Sequence, residues 1–336
     1  MTAAQGPRRP FKASHENIVI AITVVLFVGF SLFLNGFLTT GNLLTLLRSV
    51  SVLGILGVGM AVVVISRGID LSLIATLAVG AGVAIVLSRP DGPLPGGLPF
   101  WQGALLGLVF VVVVTALTGA IIAYADLPAV FTTLAMGSVI YGVGRVLFLP
   151  AEANYLPENA TWVFALGRGQ LFGIPISIIC FLVVLALVHL VLRKTALGLF
   201  IYAMGDNPVA ARSAGIPARP ATVVIYVFAG LVAYFAGLLT AGAVNNINTR
   251  MFNSTLIYDV LLVVVVGGIG LSGGRGGMKN VLIGTLLIGT LLNGMIILNI
   301  SYNEQSLIKG LILLLAILVD TILNPRDEQT SQQGDI

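Results

Sequence analysis

Charged residues are scarce in this sequence. Only 9% of its 336 residues are Asp, Glu, Lys or Arg, whereas soluble domains contain about 25%. Hydrophobic residues make up 57% and the mean hydropathy is +1.06, above the apolar share of about 45–50% in soluble domains. This composition excludes a water-soluble globular protein. It predicts that most of the chain lies in a lipid bilayer.

Residues that carry catalysis or bind metals are also scarce. Cys180 is the single cysteine, so the chain cannot form an internal disulfide. His15 and His189 form no zinc-binding pattern, and the phosphate-binding pattern G-x-x-x-x-G-K-[ST] does not occur. An intramembrane enzyme would need a paired nucleophile and base or a metal set. We therefore expect a non-enzymatic protein with no cofactor or metal of its own.

Long apolar runs separate the few charges. A helix needs about 20 mostly apolar residues to cross a bilayer, and continuous apolar runs favour helices, because the strands of a membrane barrel alternate. We predict an all-α polytopic membrane protein with about ten transmembrane helices. Eight charge-free runs cover 17–47, 49–66, 71–88, 92–125, 127–144, 169–192, 220–249 and 280–303. Two less clean spans are 256–271, with Asp259 near one end, and 305–323, which contains Lys309.

The positions of Lys and Arg predict the orientation, because positive loops remain in the cytoplasm. With the N- and C-termini cytoplasmic, the inner side holds Arg8, Arg9, Lys12, Arg67, Arg193, Lys194, Arg212, Arg219, Arg275, Lys279 and Arg326, which are eleven of 17. We expect a cytoplasmic segment at 1–16, a transmembrane domain at 17–323 with a cytoplasmic loop at 193–221, and a cytoplasmic tail at 324–336.

The Pro/Gly-rich segments 89–99 and 150–170 are expected to be aqueous loops outside. Because these loops account for the pI of about 9.4, nucleic-acid binding is not expected.

The predicted cytoplasmic loop contains the signals of a short helix. Asp206 or Asn207 can act as its N-cap, Pro208 suits its first turn, and Gly215 with Pro217 ends it. We expect one to three helical turns outside the bilayer. The loop therefore differs from the outer connections, which carry turn residues without a helical pattern.

Ionisable residues within the predicted spans are few, so a proton relay is not indicated. Lys309 is the only charge well inside an apolar run. We interpret it as reaching the outer interface, with a place on a transport pathway as the alternative. Arg67 and Asp70, in the segment SRGIDLS, are expected to pair or to cap the following helix.

Glycines form two further patterns. The string G-I-x-L-S occurs at 68–72 and again at 268–272, each time after a valine run, which suggests an internal repeat. A G-x-G-x-x-G pattern begins at Gly268, but it lies between two spans and not between a strand and a helix. We interpret it as a tight turn and not as a dinucleotide site.

Neutral polar residues are the remaining candidates for lining a pathway. Their amides and hydroxyls suit an uncharged, polyhydroxylated solute, and the same groups serve equally as hydrogen-bonding partners between helices. The candidates are Thr132, Thr133, Asn245, Asn246 and Asn293.

Four segments in sequence order resemble the permease subunits of ribose-type ABC sugar importers. They are VVVISRGIDLSLIATLAV (62–79), PAVFTTLAMGSVIYGVGRVL (128–147), YAMGDNPVAARSAGI (202–216) and YDVLLVVVVGGIGLSGGRG (258–276). The resemblance spans most of the chain. Arg67 and Asp206 depart from the family's usual residues. These departures bear on how the chain would dock to its partners, and not on the class of protein that it resembles.

The resemblance implies the helix arrangement of a type II ABC importer in a bacterial inner membrane. It implies import of a small polar solute, such as ribose or a related sugar, delivered by an extracytoplasmic binding protein. The implied partners are a second permease, identical or paralogous, and two ATPase subunits or one fused tandem ATPase, which would hold ATP and Mg. The segment 205–216 would be the ATPase-coupling helix. The residues that match the family there are Gly205, Asn207, Ala210, Ala211, Gly215 and Ile216, and Asp206, which departs from it, would lie in the same coupling site.

An ion- or proton-coupled secondary transporter is the alternative, since it would need no ATPase. The scarcity of carboxylates expected inside the spans and the coupling-helix segment both count against it.

Overall fold

The computed structural model describes residues 15–149 and 151–323, and helices make up most of these ranges. The helices are α1 (His15–Phe33), α2 (Thr40–Ile65), α3 (Leu73–Leu87), α4 (Phe100–Tyr124), α5 (Ala129–Leu147), α6 (Thr161–Arg168), α7 (Ile176–Lys194), α8 (Ala196–Asp206), α9 (Pro208–Ser213), α10 (Ala218–Val244), α11 (Leu256–Val266), α12 (Met278–Ile297) and α13 (Tyr302–Leu323). Short strands are β1 (Ala153–Tyr155), β2 (Gln170–Leu171), β3 (Ile174–Pro175) and β4 (Asn246–Asn248), and a 3₁₀ helix covers Thr249–Asn253.

Eight helices in the described ranges are long and apolar enough to cross a membrane. They are α1, α2, α4, α5, α7, α10, α12 and α13. The apolar helices α3 and α11, of 15 and 11 residues, coincide with the predicted spans 71–88 and 256–271. The predicted all-α polytopic membrane fold is confirmed.

The first two spans meet at residues 34–39 and not at Arg48. Gly36 has a φ of 90°, and the Thr39 hydroxyl accepts a hydrogen bond from the Asn42 amide (3.4 Å), which caps α2. Arg48 therefore lies inside α2, where its Nη2 reaches the carbonyl of Arg168 (3.5 Å). The charge-free run 17–47 therefore ends inside α2, because a long arginine side chain can leave its helix and reach a carbonyl at the end of α6.

The centre of the bundle is formed by α2, α3, α10 and α11. Every residue of α3 is buried, so this helix is apolar on all sides and is surrounded by other helices. By contrast, α1 and α13 bury only 6% of the residues in their apolar windows. These two helices stand at the periphery.

Two segments predicted as loops contain regular structure. In the described part of 150–170, β1 pairs antiparallel with β4, with Asn154 opposite Ile247, and α6 buries Val163 and Gly167 against the bundle. In the predicted loop 193–221, a further helix, α8, precedes the short helix. The Thr195 hydroxyl caps the start of α8 by accepting a hydrogen bond from the Gly198 amide (3.3 Å). The apolar face of α8 packs into the core through Ile201, so only part of this segment is a loop.

Candidate coupling site

The predicted short helix is present as α9, and Asn207 is its N-cap. The Asn207 side-chain oxygen accepts hydrogen bonds from the amides of Val209 (3.1 Å) and Ala210 (3.0 Å). Pro208 occupies the first turn, where it lacks only an amide hydrogen that would have no partner. Asn207 thus separates α8 from α9 and sets the direction in which α9 begins.

The C-terminus of α9 is closed by Gly215, which has a φ of 80°. The Gly215 amide donates to the Arg212 carbonyl (3.0 Å) and the Ile216 amide donates to the Ala211 carbonyl (3.1 Å). This hydrogen-bond pattern needs a left-handed residue, a conformation that glycine adopts without strain. Ile216 then packs against the core, which fixes the far end of α9.

The two faces of α9 differ in exposure. Ala211 is 4% exposed and faces the bundle, whereas Val209, Ala210 and Ser213 are exposed. The exposed surface carries Val209 and Ala210 beside the polar side chains of Arg212 and Ser213. Any partner that contacts α9 would meet Val209 and Ala210, and not Ala211.

The base of α9 rests on a junction of three backbone segments. The Gly274 amide donates to the Ile65 carbonyl at the end of α2 (2.8 Å). Gly205 lies against both: a Cβ added to it would overlap the Ile65 carbonyl oxygen and the Gly274 amide nitrogen. A Cβ on Gly274, which has a φ of 71°, would lie 2.8 Å from the Cα of Asp206. We call this contact of residues 65, 205–206 and 274 the glycine junction.

Side chains extend the glycine junction on two sides. The Arg67 Nε donates to the Ser272 carbonyl (2.9 Å), and the Tyr202 hydroxyl donates to the Gly276 carbonyl (2.8 Å). The connection 267–277 therefore joins the ends of α2 and α8. Its glycines form a turn between two helices, as predicted, with positive φ at Gly268 and Gly273.

Arg67 and Asp70 do not pair with each other. Arg67 has a φ of 74° and binds Ser272, which belongs to the second copy of the G-I-x-L-S string. Asp70 is buried and accepts from the amide and hydroxyl of Ser72 (2.9 and 2.5 Å), forming a local turn without capping α3. Burial raises the pKa of Asp70 to about 6, against the opposing effect of these two hydrogen bonds.

A carboxylate at the end of α4 contacts α9 from the side. Asp126 lies 4.0 Å from the Arg212 guanidinium and 3.5 Å from that of Arg219. Arg219 also stacks over the Tyr124 ring, 5.6 Å from its centroid. Asp126 lies three residues before Ala129, the first residue of α5, so this ion-pair cluster connects α9 to the start of α5.

The five pathway candidates occupy separate places. Thr132 and Thr133 lie near the start of α5. The Thr133 hydroxyl donates to the Ile69 carbonyl (3.0 Å) and accepts from the Leu71 amide (3.1 Å). Asn245 and Asn246 follow α10, whose 27 residues span about 40 Å from its start beside α9. The threonines and these asparagines are therefore at opposite ends of the bundle.

Asn293 lies in α12 and forms a reciprocal side-chain pair with Asn42. Each amide nitrogen donates to the other's oxygen at 2.9 Å. Asn245, at a φ of 63°, holds a buried side-chain oxygen with no partner in the described residues. The Asn293 amide is engaged between helices, whereas Asn245 offers a free acceptor.

Lys309 does not reach the interface, contrary to the prediction. It is 5% exposed, and its Nζ lies 2.9 Å from Oδ1 and 3.1 Å from Oδ2 of Asp259, which is 7% exposed. Nζ also donates to the Thr255 hydroxyl (2.9 Å). Asp259 is thus a carboxylate buried inside the bundle, where it and Lys309 compensate each other's charge.

Comparison with known proteins assigns the family. The model of a family described as "Branched-chain amino acid transport system / permease component" matches residues 42–317. The probable ABC transporter permease protein YphD of Escherichia coli K12 is 31% identical over 96% of this chain and 95% of its own. The ribose import permease protein RbsC of the same organism is 32% identical over 91% and 93%, and its L-arabinose transport system permease protein AraH is 30% identical over 90% and 89%. No solved structure matches the chain. The chain therefore belongs to this family of membrane-embedded ABC transporter permease components.

Proposed function

We propose that this protein is the permease subunit of an ATP-driven importer that carries a monosaccharide, such as ribose or a related sugar, across the bacterial inner membrane. The observation that carries the proposal is α9, a capped helix outside the apolar bundle that exposes Val209 and Ala210 and rests on the glycine junction. Two similar permeases are named for ribose and L-arabinose. An extracytoplasmic binding protein would deliver the solute.

A neutral solute is favoured over the branched-chain amino acids of the family description. An amino acid is a zwitterion, and its binding within the bilayer would require unpaired charged groups. Lys309 and Asp259 neutralise each other in a buried ion pair, and the buried Asp70 carboxylate accepts hydrogen bonds from Ser72. The polar groups proposed for the pathway, Thr132, Thr133, Asn245, Asn246 and Asn293, are hydroxyls and amides that suit sugar hydroxyls.

The proposed mechanism transmits motion through α9. ATP and Mg, held on separate ATPase subunits, would close those subunits and displace α9. The backbone contacts of Gly205 with Ile65 and Gly274 would carry this displacement to α2 and α12, and Asp126 would carry it to α5. Rocking of these helices would give alternating access. This chain itself would hydrolyse nothing and would need no cofactor.

The proposed assembly places the end that carries α9 in the cytoplasm, together with both termini. The seven residues Gly205, Asp206, Asn207, Ala210, Ala211, Gly215 and Ile216 would form the docking helix and its supports. A second permease, identical or paralogous, and two ATPase subunits or one fused tandem ATPase would complete the complex. The proposed cytoplasmic segments 1–16 and 324–336 lie almost entirely outside the described residues.

The proposal is tested by purifying the chain from its native membrane in mild detergent and measuring co-purified ATPase. Ala210→Glu places a charge on the exposed face of α9 and is expected to abolish ATPase association without unfolding the chain. Ala165→Glu is the matched control, because Ala165 is an exposed alanine of α6 at the opposite end of the bundle. Ala211→Glu would unseat α9, since Ala211 is buried.

Two outcomes would contradict the proposal. ATPase association that survives Ala210→Glu would remove α9 as the docking helix. A chain purified without ATPase, whose solute uptake follows an ion gradient and persists without ATP, would favour the secondary transporter, for which the buried Asp259 carboxylate would then be the first residue to test.

A further inference from the structure

The last helix, α13, has few partners in the described bundle. It packs mainly against α11, and its remaining surface exposes large apolar residues such as Leu307, Leu315 and Ile322. In a bilayer, apolar packing alone holds helices together weakly, since lipid is as apolar as leucine. Specific polar contacts must therefore fix the position of α13 relative to α11.

One polar contact lies near the N-terminus of α13. The Lys309 ammonium contacts both Asp259 oxygens (2.9 and 3.1 Å) and the Thr255 hydroxyl (2.9 Å). The Thr255 hydroxyl also accepts from the Tyr302 hydroxyl (3.3 Å). Because both charges are buried and paired, separating them would leave an unpaired charge in an apolar environment. This cluster fastens the start of α13 to the start of α11.

A second polar contact lies near the C-terminus of α13. Asp320 accepts a hydrogen bond from the Leu271 amide (3.3 Å), which follows α11 by a few residues. Lys309 and Asp320 are eleven residues apart, which is about three helical turns and 16 Å, so both lie on the same face of α13. The two helices are thus fastened at both ends along one face.

The second contact also reaches the glycine junction. Leu271 and Gly274 belong to the same connection between α11 and α12, and the Gly274 amide donates to Ile65 beside Gly205. At the other end, Thr255 directly precedes α11 and follows the segment of β4 and the 3₁₀ helix. The pair α11–α13 therefore runs from the base of α9 to the opposite end of the bundle.

We propose that α11 and α13 move as one rigid body in the transport cycle, held by the Lys309–Asp259 pair and by Asp320, and that this body carries displacement of the glycine junction to the segment 246–255. The inference rests on the proposed function, because it assumes that displacement of α9 drives the cycle. Lys309 and Asp259 are then positioning residues. Neither is required to touch the solute.

A covalent substitute for the ion pair tests the proposal. In the full complex, with Cys180→Ser as background, Asp259→Cys and Lys309→Cys remove both charges together, so no unpaired charge remains and the fold is expected to be retained. Uptake of labelled ribose per ATP hydrolysed is expected to fall by about tenfold, within the range of coupling changes produced by mutations. Bridging the two cysteines with a short bifunctional thiol reagent is expected to restore the uptake of ribose per ATP hydrolysed.

A distance measurement keeps the test independent of the solute. Spin labels at Tyr258 and Leu307, both exposed, report the separation of α11 and α13. This distance is expected to be the same in nucleotide-free and ATP-trapped complexes, while a second pair, Leu307 with Leu182 of α7, changes. Leu182 is also exposed, so the two label pairs are matched.

The outcomes separate the two proposals. A Tyr258–Leu307 distance that changes with nucleotide would overturn the rigid-body inference, as would full coupling in the unbridged cysteine variant or no recovery after bridging. A wild-type complex that contains no ATPase would overturn the proposed function, and this inference with it. A constant Tyr258–Leu307 distance together with recovery on bridging supports the inference.

Discussion

The glycine junction and the Lys309 cluster hold the bundle together in different ways. At the glycine junction, backbone meets backbone: the Gly274 amide donates to the Ile65 carbonyl at 2.8 Å, and Gly205 leaves no space for a Cβ. At the start of α13, the side chains of Lys309 and Asp259 meet at 2.9 Å in a buried ion pair. The first contact depends on the absence of side chains, and the second depends on their presence.

The difference determines which substitutions each region can accept. A backbone contact at a glycine is lost with any larger residue, because the steric overlap involves main-chain atoms that cannot rotate away. A buried ion pair is sensitive to the loss of one partner but tolerates replacement of both, since two apolar residues leave no uncompensated charge. Substitutions in both regions test this contrast.

Gly205→Val is expected to have the largest effect. Its side chain would overlap the Ile65 carbonyl and the Gly274 amide, so α8 must move away and α9 loses its base. We expect complete loss of transport and of ATPase co-purification, measured on the chain recovered from the membrane. Gly310→Val is the control, because no atom lies within 4 Å of a Cβ at Gly310. Normal transport by Gly205→Val would show that the glycine junction is not required.

Lys309→Met is expected to destabilise the protein by about 3–5 kcal/mol, the typical cost of leaving one partner of a buried ion pair uncompensated. The double variant Lys309→Met with Asp259→Leu is expected to recover most of this loss, since it buries no charge. Thermal unfolding in detergent measures both. If the double variant were as unstable as the single one, the charge pair would not explain the stability of this contact.

Asn207→Ala is expected to cost about 1 kcal/mol in the stability of α9, the usual value for an N-cap. The amides of Val209 and Ala210 would lose their side-chain acceptor. Asn207→Asp keeps the acceptor and serves as the matched variant. Hydrogen exchange at residues 208–213 is the measurement: faster exchange is expected in Asn207→Ala alone, and equal exchange in both variants would contradict the cap's contribution.

The sequence was sufficient to predict the helical fold and a short helix that ends at Gly215, whereas the structure begins this helix after Asn207 and assigns Gly205 and Asp206 to α8. Long apolar runs require helices in a bilayer, and the cap, proline and glycine of α9 act over neighbouring residues, so local pattern determines them. The predicted roles of the seven coupling residues and the five pathway residues remain proposals. Ala210 and Ala211 show what the sequence could not provide, because two adjacent alanines look alike until the structure assigns one to the outside and one to the bundle.

Contacts between distant segments escaped prediction for a related reason. Lys309 and Asp259 are 50 residues apart and lie in separate apolar runs, so neither residue indicates the other in the sequence. A same-face spacing of Lys309 and Asp320 was visible in the sequence, but it does not name a partner. Arg67 was likewise expected to pair with its neighbour Asp70 or to cap the following helix. Instead, Arg67 has a positive φ, and its guanidinium donates to the Ser272 carbonyl. Such partners depend on how helices pack, which local pattern does not encode.

Asp126→Asn is expected to have the smallest effect on stability. The carboxylate and both arginines are more than half exposed, and exposed ion pairs contribute about 0.2–1 kcal/mol because water and salt screen them. Its effect should instead appear as weaker coupling between α9 and α5. We expect uptake per ATP hydrolysed to fall modestly at low salt and to match the wild type at high salt, where the wild-type pairs are themselves screened. Asp91→Asn is the control, since Asp91 forms an exposed pair with Arg89 far from α9. An equal change in uptake per ATP hydrolysed in both variants would mean that the ion pairs of Asp126 do not couple α9 to α5.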